Sequence, residues 1–584
     1  MSRSCAPGKA GRPNSLALSG GFVFLGRHAG IGRAGVLCAL LLLALLFAGG
    51  VSGAAAEADR LYAASCPSVS SQTIYTRQNT QGAIILSIPG NWDLTLITLQ
   101  TEGQSCLYLG KKKVPVPAGE TVDLTPWLGM RIRVWDERQK SLGSIQILQG
   151  SHLPALFLTV DPKELAQAHK DKDYRITSGH AFWTEADGAV TYDGDIAHFK
   201  TRGKSTFKFN KKPYELKLAS KASPGGMTAG KTWILLANYM DVSLLRNQVV
   251  LDMAREIGMP YALECVQTDV WVNGVYNGLY LVTEKVQIGK NRIDITDLEE
   301  ATEQVNSAPL DSYSRYRREW NGLPITRGYL IPNNPEDITG GYIGMIDKQH
   351  RFQDNPVAGV QTTGGLNIRV REPTCPSEEQ IHYFAQRMED MHQALLAQDG
   401  VNPATGLRYD EYLDVTSFAL KYILEEWCKN FDFLAGSQYL YKDSDLVDPL
   451  VYAGPAWDYD LCFGNMEKKG SSSTGAWIGS ISRKSYNLYW LLSKQPDFMQ
   501  RVESLWQEIF LPAARRLLEP SEDGAGCVRT IQEYADAIRD SAAMNYARWG
   551  VGKEAASFAG TSFDSAVKYL KKWIRERTDW MAAQ

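Results

Sequence analysis

Short apolar stretches rich in β-branched residues open the chain, at 83–88 (AIILSI), 94–100 (LTLITLQ), 130–135 (MRIRVW) and 144–148 (SIQIL). Turn signals such as Pro89-Gly90-Asn91 and Pro117-Ala118-Gly119 bound them, and no helical period interrupts them. The pattern predicts a small all-β, sandwich-like module over residues 57–152. After a break at 150–154, a strand at 155–160 (ALFLTV) begins a second region, 153–584. Residues 197–218 (AHFKTRGKSTFKFNKKPYELKL) read as two strands about a loop, and 233–237 (WILLA) is apolar. Leu244, Leu245, Val249, Met253 and Ile257 recur at helical spacing and stop at Gly258. Two β-type stretches, 268–272 and 278–282, flank Val272-Asn273-Gly274-Val275, where Asn-Gly is a strong hairpin signal. Residues 299–340 are polar and irregular and read as an insertion or mobile loop. From Ser377 onward helical periods dominate, at 378–397, 415–429, 498–518, 528–544 and 562–581, with a hairpin-like segment at 438–442 and 450–453. No internal repeat is visible. This order predicts an α+β protein, with a β-rich half that embeds one helix followed by a helical half.

Composition narrows the class. Of 584 residues, 44% are hydrophobic, 10% aromatic and 22% charged, which excludes a disordered chain, a coiled coil and a multi-span membrane protein. The 62 Lys plus Arg against 65 Asp plus Glu give -3, a balance that argues against a nucleic-acid partner. The charge is unevenly spread. Residues 1–56 hold Arg3, Lys9, Arg12, Arg27 and Arg33 and no acid, then an apolar run at 36–47 and a small-residue stretch ending near Ala56. That is the layout of a secretory signal peptide, so the protein is expected to be exported, secreted or at a surface. A membrane contact is expected only if this segment stays attached. Seven cysteines follow it, at 66, 106, 265, 375, 428, 462 and 527, without a Cys-x-x-Cys pair or zinc spacing. Cys66 and Cys106 can form a disulfide in an exported module, and the odd total leaves at least one thiol free.

Candidate chemistry concentrates in a few places. Asp458 and Asp460, in GPAWDYDLCFGN, stand at i and i+2 and face one side of an extended segment. Flanked by Trp457, Leu461 and Phe463, they are expected to be partly buried, where like charges need a cation; magnesium with a phosphate-bearing substrate suits them. Asp432, in KNFDFLAGSQYLYKD, falls on a loop after a long helix, where a catalytic base can be presented. Arg202-Gly203-Lys204-Ser205 forms a turn whose backbone can approach phosphate, although it fits neither the Walker nor the Rossmann pattern. Alternation in 214–218 puts Lys217 and Glu215 on one face, and Asp252 and Glu256, one helical turn apart, are candidates to hold such a lysine. The sequence order is glycine turn, strand lysine, helix acid, hairpin, the extended Glu284-Lys285-Val286, loop Asp and metal Asp. Protein kinases place their parts in that order. By it, Asp432 accepts the acceptor proton, Ser437 stands where kinases carry a metal-binding Asn, and Glu284 and Val286 contact nucleotide.

The strings KTRGKSTFKFNKKPYELKL, KTWILLANYMDVSLLRN, VNGVYNGLYLVTEKVQIGKNRIDI, ITGGYIGMID, KNFDFLAGSQYLYKD and GPAWDYDLCFGN closely resemble the CotH family of spore-coat-protein-H-type atypical kinases. The resemblance covers residues 153–584. It implies a divergent protein-kinase-like, two-lobed domain that binds ATP and Mg2+ or Mn2+. The implied activity is transfer of the γ-phosphate to Ser or Thr of spore-coat or surface proteins. It places the catalytic Asp at Asp432, the metal aspartates at Asp458 and Asp460, and nucleotide-contacting basic groups among Arg202, Lys217 and Arg246. Two positions depart from the family pattern: Gly344, where relatives tend to carry an acid, and Lys204, where Asn is more usual. A catalytically inactive kinase fold serving as a coat or adhesion protein is the alternative reading, and transfer of another part of the nucleotide would use the same metal site.

Overall fold

The computed structural model describes residues 62–79, 82–100, 104–348, 358–434, 436–467, 470–479, 483–520, 526–552 and 557–584. The leader expected at 1–56 lies outside them.

Seven strands close into a barrel: Ala155–Thr159, His180–Thr184, Val190–Thr201, Tyr214–Ala222, Gly230–Leu236, Cys265–Val272 and Val275–Glu284. Closure comes from the antiparallel pairing of Gly230–Leu236 with Val275–Glu284, in register Trp233↔Glu284 through Leu236↔Leu281. Side chains that alternate inward, among them Phe199, Leu216, Leu218, Trp233, Leu235, Tyr280 and Val282, fill the interior, as they must in so small a barrel. Polar residues of the same strands, including His198, Lys200, Glu215 and Lys217, therefore face outward. Asn273 and Gly274 both take positive φ, 52° and 75°, which is the backbone a two-residue hairpin of this twist requires. The predicted helix spans Arg246–Glu256 and lies on the outside of the barrel, where Val249, Val250 and Met253 join Ile234 and Leu281 in the main core.

A second, wholly antiparallel sheet has the order Arg315–Trp320, Leu323–Tyr329, Gly359–Gln361, Asn367–Glu372, Tyr342–Ile346, Gln438–Lys442, Val451–Ala453. Residues 299–340 are thus not an irregular insertion. They hold the helix Leu298–Gln304 and two strands. Arg315–Trp320 has no strand-like pattern because an edge strand exposed on both faces carries charges instead of alternating apolar residues.

Helices complete this half: Glu378–Leu396, opened by a Ser377/Gln380 capping box, Val415–Cys428, Ile531–Trp549 and Phe563–Ala582. The long helix predicted at 498–518 is interrupted by a π-helical turn, Trp506–Phe510. The cause is Pro512, which has no N–H and crowds the carbonyl four residues back.

In the N-terminal β-rich region six strands form one sheet, while four others, Thr73–Tyr75, Ala63–Ser65, Ile97–Gln100 and Thr121–Val122, extend the barrel sheet through the parallel pairing Tyr75↔Val275. The core of the region includes Phe157, Phe182, Trp271 and Tyr276 of the barrel and Met544 of a C-terminal helix. Leu94–Leu96 is a 3-10 turn rather than strand, because the Asp93 carboxylate accepts the Thr95 N–H at 2.9 Å. Cys66 and Cys106 are free thiols.

The last helix is pinned by a buried ion pair. The guanidinium of Arg577 donates to the Glu426 carbonyl at 2.7 Å, while the Glu426 carboxylate accepts the Ile478 and Gly479 amides at 2.7 and 2.6 Å. Removing one member leaves a buried charge uncompensated, so Glu426→Ala should cost about 3–5 kcal/mol, read as a lowered denaturant midpoint for the full chain.

Candidate active site

Between the barrel and the second sheet lies a cleft of about 700 Å³ with one basic and one acidic wall. The basic wall is the end of strand Val190–Thr201 and the turn after it. Lys200 pairs with Glu215 at 3.6 Å, and the Arg202 guanidinium stacks over the Trp457 ring at 5.0 Å. Gly203 has φ +90°, and a Cβ there would come within 2.1 Å of the Thr206 Oγ1, so this turn admits no side chain. Lys204 reaches across to the second sheet, donating to Asp347 at 3.3 Å, and Arg369 donates to the same carboxylate at 3.0 Å. Burial alone would raise the Asp347 carboxyl; the Arg369 hydrogen bond and the Lys204 charge outweigh it and hold it below the usual carboxylate range.

The acidic wall comes from two loops. Helix Val415–Cys428 stops where Lys429 turns left-handed, with φ 47°. The Lys429 ammonium is fixed by the carbonyls of Gly470, Ser473 and Gly475 at 2.8–2.9 Å. The 3-10 turn Phe431–Leu434 follows and presents Asp432, whose amide is held by the Asn430 Oδ1 at 3.1 Å. On the second loop Tyr459 points inward, its hydroxyl on the buried Glu425 carboxylate at 2.8 Å, which turns Asp458 and Asp460 toward the cleft. Asp460 is partly buried as expected, whereas Asp458 is exposed, at φ 72°, and accepts the Ser437 hydroxyl at 3.2 Å. Burial, then the charges of Asp458, Asp432 and Asp241, push the Asp460 carboxyl well above its ordinary range. Among the described residues no three His, Cys, Asp or Glu side chains are close enough to hold an ion by themselves. Two carboxylates completed by phosphate oxygens are the donor set that magnesium commonly takes. Burial and the nearby carboxylates disfavour the negative form of Asp460, and such an ion would favour it.

The helix Arg246–Glu256 holds this second loop. Arg246, fully buried, forms an ion pair with Asp241 and donates to the carbonyls of Cys462 at 3.0 Å and Phe463 at 3.5 Å. Asn247 accepts the Tyr459 N–H at 2.7 Å.

The cleft therefore gathers Arg202, Gly203, Ser205, Asp432, Ser437, Asp458 and Asp460. Arg246 supports it without lining it. Lys217 is not among its walls: two residues beyond Glu215 on the outer face of its strand, it opens into a neighbouring depression. Glu284 and Val286 are also elsewhere. Glu284 is buried in an ion pair with Arg292 at 2.6 Å, and Val286 packs in the core. Asp252 and Glu256 do not hold Lys217; they accept from Tyr534 at 2.8 Å and pair with Arg516, respectively, tying the helix to the C-terminal helices. Gly344 sits in a strand where a Cβ would meet Ile368 at 2.8 Å, so an acid has no room there.

Sequence reasoning did not find Lys200, Asp347, Lys348, Arg369 and Arg371 as site residues. All but Lys348 line the cleft, and Lys348 donates to Asp432 at 3.3 Å. The terminal Asp of ITGGYIGMID was the available signal.

Without the Asn247 acceptor the Tyr459 amide loses its partner. Asn247→Ala should therefore speed hydrogen exchange at Tyr459 while leaving barrel amides unchanged, with a stability loss of about 1–3 kcal/mol.

The family model described as CotH kinase protein matches residues 199–581, about two thirds of the chain, and takes in both walls of the cleft. No curated protein matches the chain.

Proposed function

We propose that this chain, which belongs to the CotH kinase protein family, is an exported atypical protein kinase that transfers the γ-phosphate of ATP to Ser or Thr of surface or spore-coat proteins. The observation that carries the reading is the convergence of Asp432, Asp458 and Asp460 on one wall, facing the Lys200–Ser205 turn across the cleft. The barrel, the second sheet and the helices correspond in this reading to the lobes of a divergent protein-kinase-like fold, preceded by a β-module.

Phosphoryl transfer demands positioning and charge stabilisation more than covalent chemistry. Asp458 and Asp460 would hold Mg2+ or Mn2+, which supplies positive charge to the phosphate oxygens. Arg202 and Lys200, with Arg369 and Arg371 opposite, line the cleft and supply further positive charge toward the phosphates; this replaces the role expected of Lys217. Gly203 lets the backbone of the turn come close to them. Asp432 orients the acceptor hydroxyl and takes its proton. Lys348, already 3.3 Å from Asp432, balances that carboxylate until an acceptor arrives.

A second reading, a catalytically inactive kinase fold used as a coat or adhesion protein, draws on the same Lys348–Asp432 and Lys204–Asp347 contacts, which occupy the two faces of the cleft. Incubation of the full chain with γ-labelled ATP, Mg2+ or Mn2+ and a Ser/Thr-rich protein separates them. The kinase reading predicts label transfer that falls roughly a hundredfold or more in both Asp432→Ala and Asp460→Ala. Absence of label together with absence of any nucleotide-induced thermal shift would sink it. Transfer of the nucleotide moiety instead of the γ-phosphate would redirect the chemistry to nucleotidylation.

A further inference from the structure

Beside the cleft, with Glu215 forming part of the wall of both, the outer face of the barrel carries a depression of about 470 Å³. Arg175, Lys217, Lys221, Lys231, Lys285 and Lys290 line it. All but the partly buried Lys285 are exposed. Among the described residues none of the six is in a salt bridge. Glu215, the one carboxylate in the lining, is already engaged by His198 at 3.0 Å and Lys200 at 3.6 Å, and the Lys285 charge also acts on it. Six cations outside salt bridges, beside a seventh, Arg292, that is paired with Glu284 at 2.6 Å, thus converge on a concave surface with one committed anion, in a chain whose overall charge is -3. Like charges at this density repel unless an anion joins them, and a concave surface focuses their field on such a ligand.

We infer that this depression is a docking site for a phosphorylated side chain of the protein substrate, a phosphoserine or phosphothreonine made in the adjoining cleft. The inference rests on the kinase reading above. Several lysine ammonium groups suit a phosphomonoester dianion, which they meet as point charges from different directions. A nucleotide fits the lining less well: it contains no Phe, Tyr, Trp or branched aliphatic residue on which a base could stack. The position matters as much as the charge. A segment phosphorylated once would be retained next to the cleft, so that its neighbouring hydroxyls are presented for further transfer and modification reinforces itself.

The test uses the full chain and three probes: a Ser-rich peptide, the same peptide carrying one phosphoserine, and a non-hydrolysable ATP analogue with Mg2+. Binding of the fluorescent peptides is read by anisotropy without turnover. The phosphopeptide should bind at least tenfold more tightly than its unphosphorylated form. Lys217→Glu with Lys290→Glu, and separately Lys221→Glu with Lys231→Glu, should each remove that preference. Asp460→Asn should preserve it, and the ATP analogue should not displace the phosphopeptide. Equal affinity for the two peptides, or insensitivity to both double variants, overturns the inference. Competitive displacement by the analogue also overturns it, by assigning the depression to nucleotide. Intact phosphopeptide binding in a chain that transfers no label would contradict the kinase reading alone, leaving a phosphopeptide-binding surface.

Discussion

The buried Arg246–Asp241 ion pair is the interaction on which the site depends. Both side chains are sealed from solvent, and the guanidinium spends its remaining donors on the carbonyls of Cys462 and Phe463, just past Asp460. One residue further on, Asn247 caps Tyr459 between the two aspartates. The first turn of a helix packed on the barrel thereby sets the backbone of the acidic loop. A buried pair of this kind contributes little net stability compared with an apolar substitute, but it strongly penalises any arrangement in which one partner is missing. Here it ties the basic wall, built on barrel strands, to the acidic wall, built on the helical half, in one geometry.

That linkage explains how unfavourable charge is tolerated where it is needed. Asp458 is held at positive φ, and burial first, then the neighbouring carboxylates, push Asp460 above its ordinary range. Left to themselves the two loops would relax apart. They are restrained by Arg246 and Asn247, by the Tyr459 hydroxyl on Glu425, and by Lys429, whose ammonium gathers three carbonyls of the 470–475 segment. Strain of this sort persists only where surrounding contacts over-determine it, and it clusters at functional sites.

Much of this was legible in the sequence. Strong periods gave most of the barrel strands, though not His180–Thr184, together with the Arg246–Glu256 helix and the C-terminal helices. Asp458 and Asp460 line one cleft, but Asp458, at φ 72°, is not on the extended backbone that their i, i+2 spacing implied. Three kinds of feature were not legible. Barrel closure, through Trp233↔Glu284, is a long-range pairing with no local signature. The strand Arg315–Trp320 is an edge and lacks apolar alternation. Lys217 shares a face with Glu215, yet the two-residue step along the strand takes it out of the cleft and into the next depression, a distance that alternation alone does not report. Asp347 and Arg369 could not be paired with Lys204 before the turn after Val190–Thr201 was placed against the second sheet.

The proposed function requires the two walls to form one nucleotide–metal site. Calorimetric titration of the full chain with ATP in the presence of Mn2+ tests it most directly, alongside the Asp458→Asn, Asp460→Asn double variant. Metal-dependent ATP binding by the unaltered chain, lost in the variant while thermal stability is retained, is the expected result. Binding that is indifferent to the metal, or equally strong in the variant, would contradict it.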